Sequence, residues 1–116
     1  MNKREIGTQF EQKAAAYLTR NGYRILDRNF SCRMGEIDLI GRDAHYLCFI
    51  EVKYRLNTDH GFPAEAVTAR KMTRIIRTAQ YYMLTHGYPQ DTPCRFDVVV
   101  FLDHEISLIR NAFDGL

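Results

Sequence analysis

The stretch Gly35-Glu36-Ile37-Asp38-Leu39-Ile40, followed across Gly41-Arg42-Asp43 by Tyr46-Leu47-Cys48-Phe49-Ile50-Glu51-Val52-Lys53-Tyr54, decides the fold. Both runs are rich in Ile, Leu, Val and Phe, and a short turn separates them, so they read as paired antiparallel strands. Side chains alternate along a strand. Glu36, Asp38 and Ile40 are therefore expected on one face and Ile37 and Leu39 on the other. In the next strand Glu51 and Lys53 share a face, opposite Ile50 and Val52. If the faces agree, Asp38 meets Glu51.

Acidic groups inside such apolar strands need partners, because burying a bare charge is costly and two facing carboxylates repel each other. A divalent cation resolves that conflict. Mg2+ prefers oxygen ligands and keeps several waters, so two or three carboxylates and a substrate phosphate suffice. Lys53 beside the ion could orient the attacking water and stabilise developing negative charge. Glu11, next to the apolar Phe10 on a preceding helix, could reach over the sheet as a further ligand or water-positioning group. The alternative is an ion-pair network on a solvated sheet face.

Working outward, Ile6, Phe10, Ala14, Tyr17 and Leu18 recur at helical steps and predict a helix over 3–21, stopped by Asn21-Gly22. A first strand is expected at Tyr23–Asn29, a second at Glu36–Ile40 and a third at Tyr46–Tyr54. A polar loop from Arg55 to Pro63, containing His60, leads to a long helix over Ala64–His86. Met72, Ile75, Ile76, Ala79, Tyr82 and Met83 form its apolar stripe. Strands at Arg95–Leu102 and Glu105–Ile109 follow. The third strand, the long helix and the fourth strand have the proportions of a crossover unit, which makes those two strands parallel. The expectation is an α/β domain with a mixed five-stranded sheet and two main helices, spanning 1–116.

The bulk composition agrees: 116 residues, 46% hydrophobic and 26% charged, suit one compact domain. The short apolar runs exclude a membrane span, and the charged N-terminus lacks a signal-peptide core, so a cytoplasmic location is the default. Cys32, Cys48 and Cys94 follow no zinc spacing and imply no disulfide scaffold. A net charge of +2 is too small to argue for nucleic acid by itself. Position matters more. Arg70, Arg74 and Arg77 recur at four and three on the long helix, with Lys71 beside them, and could track a phosphate backbone. Arg55 follows the candidate site directly, and Arg28 and Arg33 flank the second strand. A solvated helix face is the alternative. Asp97, in an apolar strand, is expected to pair with a basic group rather than to bind metal.

These segments resemble the YraN family, the uncharacterised family UPF0102. The resemblance rests on Gly7, Glu11, Tyr17-Leu18, Gly22-Tyr23, Arg28-Asn29, Gly35 to Ile40, Phe49 to Lys53, Arg55, Lys71, Arg95-Phe96-Asp97 and Asn111-Ala112-Phe113. That family is similar in fold to the restriction-endonuclease-like superfamily, in particular to archaeal Holliday-junction resolvases. The resemblance implies Glu11, Asp38, Glu51 and Lys53 as the catalytic set, with Glu11, Asp38 and Glu51 on Mg2+ or Mn2+. Two departures stand out. Ile37 occupies the place before Asp38 where many such nucleases have proline, and Gln80 is followed four residues later by Leu84 rather than tyrosine.

The resemblance thus implies a metal-dependent endonuclease acting on branched or otherwise structured DNA. A nucleic-acid-binding protein with this fold and little or no activity is the second reading, and a partner protein whose carboxylates form only salt links is the third. A symmetric homodimer would suit a junction with paired strands, although the sequence exposes no distinctive interface.

Overall fold

The computed structural model describes residues 2–55 and 68–115, with Arg55 described by its backbone alone. The elements run α1 (Lys3–Arg20), β1 (Arg24–Cys32), β2 (Gly35–Asp43), β3 (Tyr46–Arg55), α2 (Ala69–Thr85), β4 (Cys94–Leu102) and β5 (Glu105–Phe113). The five strands form one sheet in the order β1-β2-β3-β4-β5. Neighbours are antiparallel except β3 and β4, which are parallel, as a crossover through α2 requires. The expected mixed sheet with two helices is therefore the observed fold. The outer strands β1 and β5 extend further than their hydrophobic patterns suggested, because edge residues pair through backbone whatever their side chains. Among the described residues, no helix is long and apolar enough to cross a membrane.

Local sequence explains both helices. Asn2 caps α1 by accepting the Glu5 amide at 2.9 Å. At the other end Gly22, at φ 92°, lets the Gly22 and Tyr23 amides fold back onto the Thr19 and Leu18 carbonyls. Thr68 caps α2 by accepting the Lys71 amide at 3.2 Å. The start of the long helix expected at Ala64 lies outside the described residues, as does His60.

One core lies on each side of the sheet. Ala14, Ala15 and Leu18 of α1 pack with Tyr23, Leu39, Cys48, Ile50, Val52, Val99 and Phe101. Ile75, Ala79, Tyr82 and Met83 of α2 pack with Ile37, Ile40, Leu47, Phe49 and Phe96. The alternation along β3 holds: Leu47 and Phe49 face α2, while Cys48, Ile50 and Val52 face α1. By the same period Glu51 and Lys53 point to the α2 side.

β2 departs from simple alternation. Ile37 and Ile40 both face α2, whereas Leu39 faces α1. The expected common face of Ile37 and Leu39 is thus corrected. The cause lies across the ladder, where Asn29 sits between the pairs Arg28–Leu39 and Phe30–Ile37, directly opposite Asp38. Asn29 adopts the left-handed conformation at φ 52°, which short polar side chains tolerate best among non-glycine residues. The hairpin turns over at this point, leaving Asp38 at the seam between the two faces.

Candidate functional site

The β2–β3 ladder runs from Asp43–Tyr46 to Leu39–Ile50 and ends there. Continued by one residue it would pair Asp38 with Glu51. Instead the strands part, and Asp38 Oδ2 accepts the Val52 amide at 2.8 Å. The carboxylate thereby satisfies a backbone donor that the departing strand abandons. Glu51, buried at 4% exposure, lies on the α2 side of this gap. Its Oε2 is 3.2 Å from Lys71 Nζ and 3.8 Å from Lys53 Nζ. The sheet positions Asp38, Glu51 and Lys53, and the first turn of α2 brings Lys71 down onto them.

The electrostatics follow from taking like charges out of water together. Burial, and then the Asp38 charge, push the Glu51 carboxyl up to about 7, against the pull of Lys71 and Lys53. Burial also raises Asp38, although the Val52 amide and Lys71 oppose it. Burial and the adjacent Lys71 ammonium bring Lys53 down to about 8. Lys71 is pulled down by burial too, but its hydrogen bonding with Lys53 and the Glu51 charge outweigh that, and its net displacement is upward.

Glu11 approaches from the other layer. Its carboxyl is raised by partial burial and by the Asp38 charge, while a hydrogen bond with the Asn29 side chain opposes the shift. Among the described residues, no three His, Cys, Asp or Glu side chains converge as a ready metal cage. The oxygen donors of Asp38 and Glu51 nevertheless suit a hard divalent ion, which is commonly bound through one or two carboxylates with water completing its shell. A buried and a partly buried carboxylate, the first already drawing in two lysine ammoniums, are a fit for such an ion.

A cleft of about 520 Å3 opens between the β1–β2 hairpin and the start of α2, with Asp38 and Glu51 on its floor and Lys71, Arg74 and Gly35 on its walls. Gly35 belongs there on steric grounds: a Cβ would come within 3.0 Å of Oγ1 of the buried Thr78. A larger hollow of about 720 Å3 lies at the far end of α2, bordered by Met83, Leu84, Tyr88 and Asp91. It gathers no cluster of opposite charges.

Arg70, Arg74 and Arg77 are exposed on α2, and Arg33 is exposed at the hairpin tip. Arg28 is exposed but pairs with Leu39, so it stands on the α1 side of the sheet, away from the α2 arginines. Arg55 ends β3, and its side chain lies outside the described residues. Sequence reasoning put Lys71 with the basic face rather than with the carboxylates. The signal that could have found it is its spacing, four before Ile75 and seven before Thr78, both buried, which places it at the head of the inward stripe.

Asp97, with 0% exposure, anchors a separate network. It accepts hydrogen bonds from the Tyr23 hydroxyl at 2.6 Å, from Arg95 Nε at 2.9 Å and from the Asn111 amide at 2.9 Å. The expected basic partner is thus Arg95, which also donates to Asp43 at 2.6 Å. This network ties β5 and the end of α1 to β4.

The model of the uncharacterised protein family UPF0102 matches residues 10–101. The chain belongs to this family. Among UPF0102 relatives, the protein of Lachnoclostridium phytofermentans is 56% identical over 115 residues, covering 99% of this chain and 98% of its own. The UPF0102 protein of Fusobacterium nucleatum is 41% identical, covering 99% of this chain and 96% of its own. Among solved structures, the UPF0102 chain is similar to Hjc, a Holliday junction resolvase of Archaeoglobus fulgidus. The TM-score is 0.50 at 16% identity, covering 89% of this chain and 75% of Hjc. That likeness is one of fold.

Proposed function

We propose that the chain is a metal-dependent endonuclease that hydrolyses phosphodiester bonds in branched or otherwise structured DNA. The observation that carries this reading is the convergence of Asp38, Glu51 and Lys71 on a cleft walled by α2, with Lys53 beside Glu51. The shared fold with Hjc supports it and, at that identity, supports the scaffold rather than the chemistry.

Asp38 and Glu51 would hold Mg2+ or Mn2+, with Glu11 approaching Asp38 from the α1 layer. When bound, such an ion polarises a phosphoryl oxygen and acidifies water. Asp38 is fixed for this task by the Val52 amide. Lys53, tethered to β3 beside Glu51, donates from Nζ to the negative charge that grows on the phosphate as water adds to phosphorus and the bridging P–O bond breaks. Arg74 on the cleft wall, with Arg70 and Arg77 further along α2, binds neighbouring phosphates and positions the strand. A structure-selective substrate needs no base readout, and a symmetric homodimer would present two such sites to a four-way junction.

The reading of a DNA-binding protein with little or no cleavage draws on the lack of a preassembled three-carboxylate cage among the described residues. A panel of labelled linear, flapped and four-way DNAs, incubated with Mg2+ or Mn2+ and with parent, Glu51→Ala and Lys53→Ala proteins, separates the two. Metal-dependent cleavage by the parent alone is expected. Equal cleavage by all three proteins would mean a contaminant, and binding without cleavage across the panel would favour the second reading.

A further inference from the structure

We propose that Lys71 is the resident counter-ion of the Asp38–Glu51 pair, and that a divalent ion binds by displacing its ammonium toward the substrate phosphate. This rests on the nuclease reading and assigns Lys71 a role distinct from the arginines around it. Lys71 Nζ lies 3.2 Å from Glu51 Oε2, closer than Lys53 at 3.8 Å. It therefore stands in contact with an oxygen that the ion would need. The two lysines differ in their freedom to leave. Lys53 is carried by β3 itself, and its side chain is 20% exposed; that of Lys71 is 38% exposed, on the wall of the open cleft.

The backbone of Lys71 is held by the Thr68 cap, while its flexible four-carbon stem can reach other positions of the ammonium without moving the helix. Arg74, one turn further along the same wall, marks where a displaced ammonium would meet phosphate. Before the ion arrives, the buried Glu51 and the partly buried Asp38 would repel each other without a cation, and Lys71 offsets that repulsion. After it arrives, keeping Lys71 in place would set an ammonium against a divalent cation. The same residue therefore stabilises the metal-free fold and is delivered to DNA when metal binds.

The test is amine labelling of the folded protein, read residue by residue by mass spectrometry, with and without saturating Mg2+ at matched ionic strength. Lys71 labelling should accelerate severalfold with Mg2+ while Lys3 and Lys13 on α1 keep their rates, and Glu51→Gln protein should show no Mg2+ response. Calorimetric titration with Mn2+ supplies the second measurement. Lys71→Met should tighten Mn2+ binding by roughly tenfold, against about threefold or less for Arg74→Met, which removes the same charge from the same wall without vacating a ligand oxygen. Mn2+ binding that Glu51→Gln abolishes, with Lys71 labelling unchanged by Mg2+, would overturn the displacement and leave the nuclease reading standing. No Mn2+ binding by the parent protein would overturn both. Should Lys71→Met fail to fold, the labelling of the parent decides.

Discussion

Asp38 accepts the Val52 amide at 2.8 Å one residue beyond the last β2–β3 pair, so a side chain completes a ladder that the backbone has left. The two residues convert a parting of strands into a fixed carboxylate. Substitutions at Asp38 should separate the structural part of this interaction from the chemical part. Asp38→Asn keeps an acceptor for Val52 and removes a partly buried charge, so its unfolding free energy should stay near that of the parent. Asp38→Ala leaves the amide unpartnered and should cost about 1–3 kcal/mol. Both should abolish cleavage. Urea unfolding beside the DNA panel checks this, and a stable, active Asp38→Ala protein would contradict it.

The Glu51 carboxyl, held at about 7 against an ordinary 4.5, makes metal-free stability depend on pH. The folded state binds this proton more tightly than the unfolded chain does. The stability it contributes is fully present below pH 4.5 and is lost as pH rises through about 7. Relative to Glu51→Gln, the metal-free parent should lose roughly 2–3 kcal/mol between about pH 5 and pH 8. Mg2+ at the upper pH should restore much of it. Urea midpoints measured across that range, with chelator and with Mg2+, give the comparison.

DNA affinity should divide the arginines by side of the sheet. Removing Arg70, Arg74 or Arg77 singly should weaken binding to every DNA in the panel and lower the salt slope by about one for each phosphate no longer neutralised. Arg28→Ala should change neither, because Arg28 stands on the α1 side. Fluorescence anisotropy over a salt series resolves this. A uniform response of all four variants would argue for diffuse attraction instead of a track along α2.

Much of this was legible from spacing. The order of helices and strands, the parallel β3–β4 pair and the common face of Glu51 and Lys53 all follow from periodicity and connection length. The turnover at Asn29 and Asp38 was not, because it depends on one left-handed residue acting through a cross-strand partner. Nor was Thr78, a buried hydroxyl that satisfies itself by donating to the Arg74 carbonyl at 2.7 Å and so sits in the apolar stripe without cost to it. The pairing of Lys71 with Glu51 joins two elements through tertiary packing, which a single-element pattern does not encode.

The network around Asp97 should behave as scaffold rather than as part of the centre. Asp97→Ala strips partners from Tyr23, Arg95 and the Asn111 amide at once and should cost about 3–5 kcal/mol. Mn2+ affinity of the protein that remains folded should be unchanged. Calorimetry at low temperature, paired with thermal unfolding, measures both quantities. A weakened ion site at full stability would move Asp97 into the centre.

Gly35 sets how closely the hairpin tip can approach α2. Gly35→Val should cost roughly 1–3 kcal/mol, through its close contact with Thr78 and through the backbone strain of a side chain at φ 157°. Unfolding measurements check the cost, and partial restoration by the pair Gly35→Val with Thr78→Ala would assign the steric share to that point of packing.

Glu11 arrives with one core and Lys71 with the other, while Asp38 waits at the seam between them. The candidate centre is therefore a proof of assembly: a chain that has docked only one of its helices has only part of these groups in register. Nothing short of the finished sandwich can present them together, so the proposed chemistry would begin only when folding is complete.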